Sequence, residues 1–205
     1  MKREELLEQM DPFLPADFFS CYFSIHRNLE KVPSVSELLG EDPFASLSLA
    51  WSEEGIVGKL SSEKPFQDSF FPDYEKGDSL EIFIDTRDHK KGGFATRFCH
   101  HFLFLPTRVN SIQAQEITRF RLEDTHPLCS SSDLSVSSHL GKNTYELCFT
   151  IKAEALHGYD PLQFPRIGFA YILNRCKGKP QQFPISSERF DFLGAPSLWA
   201  SVTLT

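Results

Sequence analysis

No stretch of this chain approaches the run of roughly 20 apolar residues that a membrane-spanning helix needs, and the charge balance lacks any basic excess. Lysine and arginine number 21 against 28 aspartates and glutamates, a formal net charge of −7. That argues against nucleic acid, which asks for a basic stripe, and against docking on an anionic membrane surface. No C-x-x-C pair occurs. The cysteines (Cys21, Cys99, Cys129, Cys148, Cys176) are odd in number and widely spaced, so neither a disulfide framework nor a zinc knuckle is indicated. The N-terminus, Met1-Lys2-Arg3-Glu4-Glu5-Leu6-Leu7-Glu8, has no apolar segment behind its positive charges and does not read as a signal peptide. These absences lead us to expect a reduced, metal-free, cytoplasmic protein.

The sequence has abundant short alternating segments divided by turn residues. A hydrophobic content of 40% is globular, and 20 phenylalanines suggest a thick core between sheets. Alternation and punctuation predict strands near 17–26, 45–51, 55–61, 79–86, 95–105, 112–123, 143–151, 165–174 and 197–204. Ser52-Glu53-Glu54-Gly55 suits a hairpin. Helix is expected only as single turns, at 4–10 (ended by Pro12 and Pro15), near Ser36–Leu39 and at Ala153–Leu156. The Ser-rich stretch Cys129–His139 reads as a mobile loop. The expected architecture is an all-β, two-sheet antiparallel sandwich over 17–205, preceded by an N-terminal extension at 1–16.

Ionisable groups concentrate in Asp78–Asp88 and Arg97–Pro106. Parity puts Glu81, Phe83 and Asp85 on one face of their strand, opposite Leu80, Ile82 and Ile84. Arg97, Cys99 and His101 share a face of the next, opposite Thr96, Phe98, His100 and Phe102. If a hairpin with its loop at 87–93 makes these strands neighbours, the two polar sets lie side by side. They form either a binding surface or a cross-strand ion pair with no ligand. His100 and His101 point to opposite faces and cannot share a metal. A metal site would have to join one of them to Asp85, Asp88 or His89, and no spacing matches a zinc motif. Cys99 has His101 two residues away on its face but no third orienting group, so a catalytic thiol is not indicated. Lys90-Lys91-Gly92-Gly93 lacks the strand–loop–helix context of a phosphate loop.

Leu47-Ser48-Leu49-Ala50-Trp51-Ser52-Glu53-Glu54-Gly55-Ile56 and Asp78–Asp85 resemble the front half of the family 9 carbohydrate-binding modules. Tyr145–Ile151, Arg166–Asn174 and Pro196-Ser197-Leu198-Trp199-Ala200 resemble the back half. The resemblance spans about residues 45–205 and implies a DOMON-like sandwich. The segments Asp85–Asp88, Arg97–His100 and Phe104–Pro106 also resemble a smaller bacterial group of that fold with no assigned activity.

In the sugar-binding family a glycan lies between two tryptophans and is hydrogen-bonded by charged and amide side chains. By motif, Glu81, Asn174 and Arg97 fall on those polar positions, and His101 joins them by strand parity. The tryptophan positions do not carry over. Tyr74 and Phe183 are the aromatics placed to serve as the stacking plate. Trp51 and Trp199 read as core. Relatives of the fold can hold haem through methionine, but the only methionines are Met1 and Met10, so no cofactor is expected. The expectations are therefore a non-catalytic module for a saccharide or other polar small molecule, a structural or protein-partner-binding domain, and, least supported, an enzyme of unknown type. No nucleophile–base–orienter set is legible.

Overall fold

A computed structural model describes residues 21–36, 40, 42–91, 93–121, 123–186 and 193–205. The extension at 1–16, its helical turn, the start of the strand expected at 17–26 and most of the turn at Ser36–Leu39 lie outside those residues. Among the described residues twelve strands are present: β1 (Tyr22–Ile25), β2 (Glu30–Lys31), β3 (Ala45–Ser52), β4 (Gly55–Ser62), β5 (Ser79–Asp85), β6 (Cys99–Val109), β7 (Ile112–Glu116), β8 (Leu134–Leu140), β9 (Tyr145–Lys152), β10 (Arg166–Asn174), β11 (Gln181–Phe183) and β12 (Ala200–Leu204). They form a seven-stranded sheet in the order β1-β12-β10-β5-β6-β7, with β11 continuing the edge of β10, and a five-stranded sheet in the order β2-β3-β4-β9-β8. Pairing is antiparallel except between β1 and β12. This is the antiparallel-rich β-sandwich that the alternation predicts.

The inner faces meet in one core. Leu80, Ile82 and Ile84 of β5 and Phe102 and Phe104 of β6 pack against Leu147, Phe149 and Ile151 of β9. Phe104 and Phe149 stack across the two sheets with ring centroids 4.6 Å apart. Gly58 makes that stack possible. It lies directly opposite Phe149 across the β4–β9 ladder, and a Cβ there would collide with the ring. Gly55, at φ 134°, turns the β3–β4 hairpin in a conformation closed to other residues. Trp51 sits in this core, and its indole donates to the Thr205 carbonyl.

The two sheets differ in their outer faces. In β9 burial alternates along the strand, as in a sheet with one face in water. In β5 every residue is buried, and in β10 every residue but Arg166. Their outer side is covered by a second apolar cluster of Phe83, Cys99, Ala170, Ile172, Ile185 and Trp199, with Ala95 and Leu198 packed on it. Much of the face expected to be polar and open is therefore roofed by Ile185, Leu198 and Trp199.

Three sequence expectations change. Ser-rich 129–139 is not a loop throughout, since 134–140 is β8, paired with β9 along its whole length. The strand expected at 95–105 starts only at Cys99, after a turn in which the Cys99 amide bonds the Thr96 carbonyl. The strand expected at 112–123 ends at Glu116.

Candidate functional site

The hairpin joining β5 to β6 sets His101 opposite Phe83, and β10 on the other side sets Asn174 opposite Ser79. Glu81 stands between them on the outer face, its carboxylate held from both sides. Asn174 Nδ2 donates to Oε1 at 2.7 Å, and His101 Nε2 donates to Oε2 at 2.8 Å. The Asn174 amide also donates to Ser79 Oγ, which donates to the Tyr74 carbonyl. One hydrogen-bonded chain thus runs from the short 3-10 turn Tyr74–Lys76 across three strands to β6. Asp78 anchors that turn's loop. Its carboxylate accepts from the amides of Gln67 and Cys176, which ties the loop to the end of β10.

Glu81 is 3% exposed, while the His101 side chain is 18% exposed and Tyr74 is half-buried, so the patch opens on the His101–Tyr74 side. Phe83 stacks beneath the imidazole at 4.1 Å between centroids and fixes its plane. Burial, with the charge on Glu81 behind it, pushes the Tyr74 phenol up to about 12. Each carboxylate oxygen has two lone pairs and takes one hydrogen bond from the described residues.

Two residues expected here are elsewhere. Arg97 lies in the turn before β6, where strand parity does not apply, and its exposed guanidinium pairs with Asp124. Phe183 is fully buried on the inner face, stacked on Tyr171 at 5.7 Å and edge-on to Phe23. Its cross-strand partner Tyr171 faces the core, and the phenyl ring follows it inward. Of the expected set, the structure brings together Glu81, His101, Asn174 and Tyr74.

Neighbouring candidates resolve into structural roles. Asp85 does not pair with Arg97; its carboxylate accepts from the amides of Arg87 and His89 and shapes the turn after β5. Burial raises its pKa, with those two amides pulling it back. Cys99 is buried beside it, and burial followed by the Asp85 charge pushes the thiol up to about 12, the reverse of an activated nucleophile. Beside this turn is a cleft of about 320 Å³ lined by Tyr22, Arg87, Asp88, Lys90, Lys91 and Arg166 among others. Its excess of cations is partly met by Asp88, which pairs with Lys90 and Arg166 and accepts from Ser201.

A second ionisable cluster, which the sequence reading did not assemble, lies on the inner side of the same strands. His100 Nδ1 and His126 Nε2 each donate to Glu116 Oε1 at 2.8 Å, and Thr118 Oγ1 donates there at 2.7 Å. The Cys129 amide donates to Oε2 at 2.7 Å. His126 Nδ1 donates to the Arg97 carbonyl at 2.6 Å. The side chains of His100 and Glu116 are wholly buried, and His126 nearly so. Burial alone would raise the Glu116 carboxyl, but the bonds from His100 and His126 outweigh it and hold it far below the usual carboxylate range. Burial lowers the pKa of His100, against the pull of Glu116. A signal was present: Ile112, Ala114 and Glu116 share parity, as do His100, Phe102 and Phe104, so both ionisable groups sit on apolar faces.

No protein-family profile and no curated protein matches the sequence. Solved structures do match. A family 9 carbohydrate-binding module from Caldicellulosiruptor kristjanssonii, in complex with cellotriose, superposes with a TM-score of 0.62 at 13% identity, over 90% of this chain and 93% of that one. The chain has the fold of a family 9 carbohydrate-binding module. The glucose complex from the same organism gives a TM-score of 0.61 at 13% identity, over 89% and 94% of the two chains. A candidate carbohydrate-binding protein from Bacteroides uniformis gives 0.54 at 13% identity, over 87% and 86%.

Proposed function

We propose that the protein is a non-catalytic binding module that takes a saccharide, or a polar small molecule of similar hydroxyl pattern, at Glu81, His101 and Asn174, with Tyr74 at the rim. The observation that carries this reading is the Glu81 carboxylate, fixed between an amide and an imidazole beside the part of the sheet face that the second apolar cluster covers. A preset acceptor beside a donor-bearing ring suits vicinal hydroxyls, which both give and receive hydrogen bonds. The match in fold to modules solved with cellotriose and glucose supports the same class of ligand. The thiol of Cys99, held protonated in an apolar setting, weighs against chemistry on this face.

A thermal-shift screen of mono- and oligosaccharides, followed by calorimetry on the hits, tests the proposal. A hit should be weakened about tenfold or more by His101→Ala, through loss of a charge-assisted contact and its neighbour's orientation, and left unchanged by Arg97→Ala. Absence of any hit at millimolar ligand, with the fold intact, would leave the structural or protein-partner role in its place.

A further inference from the structure

We propose that His100, Glu116 and His126 form a structural site for a divalent transition-metal ion of zinc type, buried between the sheets. The ligand atoms His100 Nδ1, Glu116 Oε1 and His126 Nε2 all lie within 4.8 Å of one another. Each nitrogen is 2.8 Å from the carboxylate oxygen. Ligand atoms about 2.0–2.1 Å from a tetrahedral zinc stand roughly 3.3 Å apart, so seating an ion asks the oxygen to withdraw by about half an ångström and the two nitrogens, within 4.8 Å of each other, to close by up to about 1.5 Å. Two imidazoles and a carboxylate are a set this ion takes readily.

The surroundings of the cluster follow the same pattern. A histidine that holds a metal through one ring nitrogen donates the other N–H to a backbone carbonyl or carboxylate. His126 does this: Nδ1 is spent on the Arg97 carbonyl, which leaves Nε2 aimed at the centre. With no ion, both of its nitrogens face oxygen atoms, the Arg97 carbonyl and Glu116 Oε1. His100 has the complementary mismatch. Its Nδ1 is spent on Glu116, and its buried Nε2 stands by the His157 backbone without a partner in hydrogen-bond geometry. An ion at the centre relieves both rings. It takes up His126 Nε2 as a ligand, and it lets His100 bind through Nδ1 with its hydrogen on Nε2. The Glu116 oxygen turned away from the centre is already held by the Cys129 amide.

The location gives the ion a task. Glu116 ends β7 in one sheet, His126 lies in the crossover that leads to β8 in the other, and His100 is on β6. One ion would fasten that crossover to the sandwich. This goes beyond the saccharide reading and does not depend on it, since the cluster is on the opposite face of the sheet from Glu81.

The test is to strip the full chain with a chelator and titrate it with Co²⁺, then Zn²⁺, and to follow visible absorption and the thermal midpoint. One equivalent should bind, with the strong visible bands of tetrahedral cobalt, and the midpoint should rise by several degrees. Binding should be lost in His126→Asn, whose amide can still donate to the Arg97 carbonyl, and kept in the surface control His139→Ala. If His126→Asn does not fold, zinc-edge absorption spectroscopy on the wild type decides, through a first shell containing two imidazoles. Failure of the wild type to bind an equivalent, binding that survives His126→Asn, or a first shell without two imidazoles would overturn the proposal.

Discussion

At the scale of single residues, environment separates groups that look alike in the sequence. Glu81 and Asp85 on β5 and Glu116 on β7 are all buried carboxylates of one sheet. One is held at the rim by an amide and an imidazole, one shapes a turn through two backbone amides, and one takes four donors in the core. Because the Glu81 charge stands second to burial among the causes that raise the Tyr74 phenol, Glu81→Gln should lower that phenol's pKa from about 12, read by absorbance at alkaline pH. An unchanged value would place the two groups out of contact. Gly58 gives a prediction about packing. Gly58→Ala drives a methyl group into the Phe149 ring and should cost about 2 kcal/mol in urea unfolding. Phe149→Leu made in the same chain should recover part of that loss, and simple additivity would deny the contact.

At the scale of elements, the sequence was legible wherever a strand has one face in the core and boundaries set by Gly or Pro. β3, β4, β5, β9 and β10 all lie within a residue or two of their expected limits. The site was legible in part for the same reason. Parity along β5 and β6 brought Glu81 and His101 together, motif added Asn174, and Tyr74 entered only as an aromatic near Glu81 in sequence. Parity failed at Arg97 because the strand begins two residues later, and nothing local marks that start. β8 was missed because an edge strand needs few apolar groups. Its serines hold their place through the ladder with β9 rather than through burial. The roof over β5 and β10 was invisible, since it depends on Ile185, Leu198 and Trp199, distant in sequence from both strands, packing on their outer side. Amide exchange tests the β8 assignment. Alternate amides of Leu134–Leu140 should be protected by their ladder with β9, whereas a loop would exchange them all at the unprotected rate.

For the whole molecule, burial of ionisable groups ties stability to pH. Burial, ahead of nearby acids, raises the phenols of Tyr74, Tyr145 and Tyr159, Tyr74 to about 12. In the unfolded chain a phenol titrates near 10. A pKa raised on folding contributes stability that is complete below the unfolded value and is lost as pH rises past it. The thermal midpoint should therefore fall as pH climbs from about 10 toward 12, together with delayed tyrosine ionisation; three phenols ionising near 10 in a still-folded protein would contradict this. The central claim, that the partly roofed sheet face takes a polar ligand beside Glu81, is tested most directly by amide and side-chain NMR during titration with cellotriose and a panel of other saccharides. The account predicts shifts centred on Tyr74, Glu81, His101 and Asn174 that saturate with ligand. Shifts confined to the cationic cleft around Arg87, Lys90 and Arg166, or none at saturating ligand, would contradict it.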